Sequence, residues 1–223
     1  MTQIRKSIRF LLNERVVDLD SVAATDTLLD FLRLEQRLCG SKEGCAEGDC
    51  GACTVLVGRL AGGKLVYETV NACIRFVGSL DACHVVTIEH LRGQDGSLHP
   101  VQQAMVDMHG SQCGFCTPGI VMSLYSLWMS NSKPTNTDIE TSLQGNLCRC
   151  TGYEAIVRAG FAAASAGGQK DDVLVRERQS VIATLEELSD GARVEMGTGD
   201  ERFFVPGSVD DLAELRAAHP DSV

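Results

Sequence analysis

No apolar run in the sequence approaches the roughly 18 residues that a transmembrane helix needs, so no membrane association is expected. The start, MTQIRKSIRFLLN, has neither an apolar core of signal-peptide length nor an A-x-A-like cleavage site nor paired arginines. A cytoplasmic location is therefore expected. There is no basic stripe either. The chain carries 20 Lys+Arg against 30 Asp+Glu, a net charge of −10, and so lacks the electrostatic footprint of a nucleic-acid binder. The five histidines (84, 90, 99, 109 and 219) show no metal-ligand spacing. Ser/His/Asp catalysis has no support, and no Gly-rich phosphate loop is present. With 44% hydrophobic and 22% charged residues, neither disorder nor a collagen-like repeat applies. A length of 223 residues fits one large domain or two small ones.

What the chain does have is cysteine. All ten lie between Cys39 and Cys150. Residues 1–165 carry 14 Lys+Arg against 17 Asp+Glu, whereas residues 166–223 carry 6 against 13. A cysteine-bearing body is thus followed by a cysteine-free acidic tail. A reducing compartment disfavours disulfides, so metal binding or catalysis is the better reading of ten thiols.

Residues 4–12 and 15–19 read as strands around an Asn13-Glu14 turn. Thr25 or Asp26 is expected to cap a helix reaching about Leu38. Strands at 54–60 and 64–68 flank Gly62-Gly63, and HVVTI (84–88) is a further strand. This is an α+β pattern with a mixed sheet. From His99 the period becomes helical, with four candidates suggesting a small bundle. Pro118 is placed for a first helical turn, and Thr137 or Asp138 for the third helix's cap. Trp128, Met122, Leu124 and Leu127 fit that bundle's core. Residues 165–172 read as a linker, followed by a helix over about 172–189, short strands around Glu195 and Phe204, and a helix starting near Ser208. That tail is too short to bury a core of its own, and reads as the opening of a domain whose remainder is absent.

The cysteine spacing is the most informative feature. Cys45-x4-Cys50-x2-Cys53, with Cys73 nineteen residues on, is the plant-type spacing of a [2Fe–2S] cluster. Three thiolates from one loop require a tight backbone curl, which Gly44, Gly48 and Gly51 permit through positive φ. The same curl aims amide N–H groups at the sulfurs. A structural zinc site would favour paired C-x2–4-C knuckles. The second quartet, Cys113-x2-Cys116 and Cys148-x-Cys150, is less specific. A redox pair at CGFC, a zinc site and a second [2Fe–2S] site all remain open, and placement of both pairs at helix N-termini favours anionic sulfur. Cys39 and Cys83 are expected to be small buried hydrophobes.

Taken together, KEGCAEGDCGACTV (42–55), NAC (71–73), QCGFCTPG (112–119) and GNLCRCTGY (145–153) closely resemble the iron–sulfur portion of the molybdenum hydroxylases, the xanthine dehydrogenase and aldehyde oxidase family. The resemblance covers about residues 5–165 with all eight ligand positions matched. It implies an N-terminal plant-type ferredoxin-like (β-grasp) domain over 1–92, and an all-α four-helix [2Fe–2S] domain over 93–165. A linker over 166–200 and the start of an FAD-binding domain over 201–223 would follow. The implied metal ligands are Cys45, Cys50, Cys53 and Cys73 for the cluster nearer the flavin, and Cys113, Cys116, Cys148 and Cys150 for the other. Gln112 is implied to hydrogen-bond the pterin of a molybdenum cofactor, with Cys150 beside it where electrons arrive.

The tail, RFFVPGSVDDLAELRAAHPDSV (202–223), resembles the approach to the FAD domain of bacterial small subunits that join iron–sulfur and flavin parts. It departs from that pattern by stopping before the Gly-rich segment that would cradle the flavin pyrophosphate. The resemblance implies a hetero-oligomer with a molybdenum-binding large subunit, an FAD-binding domain or subunit, and NAD as terminal acceptor. An aldehyde oxidase-type or other heteroaromatic hydroxylase, a free-standing two-cluster electron carrier and a zinc-bound interaction module are the alternatives.

Overall fold

A computed structural model describes residues 3–93, 95–198 and 201–222. The first half is built on a five-stranded mixed sheet of order β3-β2-β6-β4-β5, comprising β2 (Ile8–Leu12), β3 (Arg15–Leu19), β4 (Thr54–Ala61), β5 (Lys64–Asn71) and β6 (His84–Val86). β2 and β6 are parallel, and the other neighbours antiparallel. Asn13 turns the β2–β3 hairpin at φ 53°, a left-handed conformation asparagine tolerates. Gly62 and Gly63 turn β4 into β5.

The expected strand over 4–12 is broken. β1 (Ile4–Arg5) leaves the sheet because the Arg5 guanidinium reaches back to the Ser7 carbonyl and to both Asp81 oxygens, at 2.8 and 2.7 Å. HVVTI is likewise shortened to three residues, since Ile88–Leu91 turn into a 3-10 segment. The expected helix to Leu38 is a short α1 (Leu28–Asp30) that widens into a π-helical turn over Phe31–Glu35. Its cap is Thr27, whose hydroxyl accepts from the Asp30 N–H, rather than Thr25 or Asp26.

All four expected helices are present: α2 (Pro100–Asp107), α3 (Thr117–Ser130), α4 (Asn136–Ser142) and α5 (Glu154–Ala166). Pro118 lies in the first turn of α3. The cap of α4 is Thr135, two residues before the earlier of the expected caps, Thr137 and Asp138. Thr135 accepts from the Asp138 N–H, while the Asp138 carboxylate accepts from the Thr135 N–H, a reciprocal box. Met122, Leu124, Tyr125 and Trp128 of α3 are buried with Ile139 and Ile156. Leu56 and Val86 of the sheet join this same cluster, so the helices cover one sheet face rather than standing apart.

The tail packs onto the body. α6 (Val173–Arg176) and α7 (Arg178–Leu188) occupy the span expected to hold one helix, divided at Glu177. Val181, Leu185 and Leu188 bury against Leu11 and Leu65. β7 (Arg193–Met196) pairs in parallel with β1 and antiparallel with β8 (Phe203–Val205). Val194 and Met196 thereby enter the core of the first half. Ser208 caps α8 (Val209–Ala218), as expected.

Candidate metal centres

The loop between the π-helical turn and β4 carries three thiols of the first quartet, Cys45, Cys50 and Cys53. Its curl uses positive φ at Gly48 (86°) and Gly51 (65°), and also at Ala46 (57°). Gly44 is needed for room instead: a Cβ there would lie 2.8 Å from the Cys50 sulfur. The Asn71 carboxamide donates to the Gly48 carbonyl and pins the loop tip to the end of β5, two residues before Cys73. The backbone N–H groups of Asp49 and Cys50 both point at Cys45 Sγ, at 3.4 Å each. Amide N–H groups from Glu47, Cys50 and Asp49 hold the Cys45 thiol down at about 6, since donors stabilise a thiolate. Burial pushes Cys73 up to about 12, aided by the adjoining Cys53 thiol.

The second quartet joins the turn before α3 to the turn before α5. Cys116 is the N-cap of α3. Gly114, Gly152 and Tyr153 adopt positive φ, and these tight reversals bring Cys113 Sγ within 3.6 Å of Cys150 Sγ. The Phe115 N–H lowers the Cys113 thiol, whereas its hydrogen bond to Cys113 raises Cys150. Burial, with the neighbouring Cys148, pushes Cys116 up to about 12. Burial also opposes ionisation of Cys148, but the Thr151 hydroxyl and nearby N–H groups outweigh it and lower that thiol. The Tyr153 hydroxyl braces the turn by accepting from the Cys148 N–H at 2.7 Å and donating to the Asn146 carbonyl at 3.0 Å.

The four thiols of each quartet lie together. Cys45 meets Cys50 and Cys53 meets Cys73. Cys113 meets Cys150 and Cys116 meets Cys148. Among the described residues no three His, Cys, Asp or Glu side chains close on a single ion. A [2Fe–2S] cluster has two irons, each taking two thiolates, and four thiols at each site fit that donor requirement. Oriented N–H groups suit an anionic cluster as well.

Gln112 and Cys150 are both exposed on the face of the second quartet, whereas Cys53 and Cys73 are buried. Cys83 is a buried core residue, as expected, but Cys39 is exposed, its sulfur beside the Arg33 carbonyl. Two of the histidines are tied into the fold. His84 accepts from the Tyr67 hydroxyl and donates to the Asn13 carbonyl, and burial drops it to about 4. His99 caps α2 and donates to Asp172.

Sequence reasoning did not single out Asn146. It is buried between the two quartets, and nothing but its place beside Cys148 could have marked it.

Residues 12–77 match the family described as a 2Fe-2S iron-sulfur cluster binding domain, and residues 87–160 the family described as a [2Fe-2S] binding domain. The chain is 53% identical over 133 residues to a xanthine dehydrogenase of Drosophila pseudoobscura pseudoobscura, covering 59% of this chain and 10% of that protein. It is 45% identical over 169 residues to a xanthine dehydrogenase/oxidase of Mus musculus, covering 75% and 12% respectively. The chain thus spans about a tenth of the length of these relatives. Among solved structures, it is similar to quinoline 2-oxidoreductase from Pseudomonas putida, with 33% identity, a TM-score of 0.60, and coverage of 72% of this chain and 94% of that one. An aldehyde oxidoreductase from Desulfovibrio desulfuricans gives 35% identity and a TM-score of 0.63, covering 73% and 17%.

Proposed function

The chain belongs to the molybdenum hydroxylase family, as its iron–sulfur portion, and from this premise we propose that it carries electrons within a xanthine dehydrogenase. In this reading two [2Fe–2S] clusters supply one-electron transfer between a molybdenum–pterin cofactor in a large partner subunit and an FAD that passes electrons to NAD. The observation that carries the reading is the gathering of eight thiols into two quartets on segments that turn N–H groups toward sulfur.

Cys45, Cys50, Cys53 and Cys73 are assigned to the cluster nearer the flavin, and Cys113, Cys116, Cys148 and Cys150 to the other. The exposure of Gln112 and Cys150 supports a partner surface there, with Gln112 donating or accepting at the pterin and Cys150 lying beside it. The protein's own work is to supply the thiol ligands, to orient donors on sulfur and to hold both centres at a fixed separation. No residue of this chain is assigned contact with xanthine.

The ferredoxin-like domain is assigned to 1–92 and the helical one to 93–165, with 166–200 connecting to the start of an FAD-binding part at 201–223. The assignment places the complex in the cytoplasm; no helix among the described residues is long and apolar enough to cross a membrane.

A second reading, an aldehyde or heteroaromatic hydroxylase, is favoured by the near-complete coverage of the quinoline 2-oxidoreductase chain. Purifying the native complex through this chain decides between them. The expected result is a large assembly containing molybdenum and FAD that oxidises xanthine with NAD. Turnover of quinolines or aldehydes but not xanthine establishes the second reading. A chain that elutes alone overturns both in favour of a free carrier.

A further inference from the structure

The two quartets meet at a junction almost free of side chains. Gly51 lies between Cys50 and Cys53, and a Cβ on it would overlap the Gly145 carbonyl. Gly119, three residues after Cys116, would likewise drive a Cβ into the Gly51 carbonyl oxygen. The Leu147 N–H donates to the Cys50 carbonyl at 2.9 Å, joining the residue before Cys148 directly to a residue of the first quartet. Backbone therefore touches backbone across the gap.

One polar side chain locks this contact. Asn146 is 3% exposed. Its Nδ2 donates to the Gly51 carbonyl at 3.0 Å and to Thr54 Oγ1 at 3.3 Å, and its Oδ1 accepts from Ser123 Oγ at 2.6 Å. The orientation of the amide is set by its partners. The Gly51 carbonyl only accepts, so Nδ2 must face it. Thr54 already donates its hydroxyl to that carbonyl, at 2.7 Å, and can offer Asn146 only a lone pair. Ser123 is then left to donate. A single carboxamide so ties together the first quartet's loop, the strand it leads into, and the helix capped by Cys116, from a position two residues before Cys148.

Resting on the electron-transfer reading above, we propose that Asn146 is the positioning residue that fixes the separation, and hence the electronic coupling, of the two metal centres. A purely structural polar group would need only to be satisfied. This one bonds three segments, each bearing or adjoining metal ligands, where the backbones of the two quartets' loops touch. Electron tunnelling weakens steeply with distance, so a junction that relaxes slows transfer even when both centres stay intact.

The test uses the full chain, purified anaerobically with its clusters. Asn146→Ala, Asn146→Asp and Ser123→Ala are compared with the parent by pulsed EPR of the doubly reduced protein and by the rate of electron equilibration between the centres. Asn146→Asp keeps the shape but withdraws the donor from Gly51. Asp172→Ala serves as a control that destabilises the helical half away from the junction.

The expected result is retention of both EPR signals, an altered dipolar splitting between them, and several-fold slower equilibration in the Asn146 variants. A smaller change is expected in Ser123→Ala, and none in the control. If Asn146→Ala fails to fold, the other two variants decide. Unaltered splitting and rate in the Asn146 variants, or equal changes in the control, overturn the proposal. Absence of two signals in the parent instead overturns the electron-transfer reading on which it rests.

Discussion

The Asp172 carboxylate is buried and accepts three hydrogen bonds, and its removal gives a sharp prediction for how the tail is anchored. Asp172 accepts from the Tyr125 hydroxyl at 2.6 Å, from His99 Nε2 at 3.1 Å and from the Leu174 N–H at 2.9 Å, as the cap of α6. His99 Nδ1 accepts from the Val101 N–H, so the ring's proton sits on Nε2 and faces the carboxylate. Asp172→Ala strips all three donors of their partner.

Tyr125 is fully buried, and an orphaned hydroxyl there costs about 2–3 kcal/mol. His99 borders a cleft of about 760 Å³ that water enters, so its loss is held to about 1 kcal/mol. Losing the cap adds about 1 kcal/mol. The sum is a destabilisation of about 4–5 kcal/mol, large against the usual 5–15 kcal/mol of a domain. Trp128, the only tryptophan, lies 4.7 Å from the His99 ring and 6.0 Å from the Tyr125 ring, so its fluorescence in urea reports on this network directly. Tyr125→Phe added to Asp172→Ala removes the orphan and should recover about 2 kcal/mol. A loss under about 1 kcal/mol in Asp172→Ala, or no recovery in the double variant, refutes the reasoning.

Further outcomes are expected elsewhere. Cys150→Ala should remove one EPR signal and stop turnover of the native complex, while Cys39→Ala, whose exposed sulfur faces the Arg33 carbonyl, should leave both signals unchanged. Gly119→Ala would ordinarily gain about 1 kcal/mol in a helix; here the overlap with Gly51 reverses the sign, and a lowered urea midpoint is the check. His84 is buried and held neutral, its pKa dropped to about 4 by burial. Its contribution is therefore complete above about pH 6.5 and is lost as pH falls toward 4, a decline of about 3 kcal/mol that His84→Gln should abolish in pH-resolved urea titrations.

The two 2Fe-2S domains were legible because the short cysteine spacings within each loop are written in nearby residues. Four helices and the β4–β5 hairpin were legible for the same reason: periodicity and the Gly62-Gly63 turn are written in consecutive residues. The misread segments depend on distant partners. The strand at 4–12 breaks because Arg5 finds Asp81, 76 positions away. The presumed linker contains Asp172, which is buried because Tyr125 of α3 and His99 at the cap of α2 await it. Asn146 carried no signal in isolation, since its role comes from Gly51, 95 positions earlier.

The most direct test of the central claim is the content of iron, acid-labile sulfide and zinc per chain after anaerobic purification, with low-temperature EPR on the reduced protein. Two clusters require about four irons and four sulfides and two distinct signals. About two irons would mean that one quartet is not a cluster site, and zinc without iron would contradict the electron-transfer account outright.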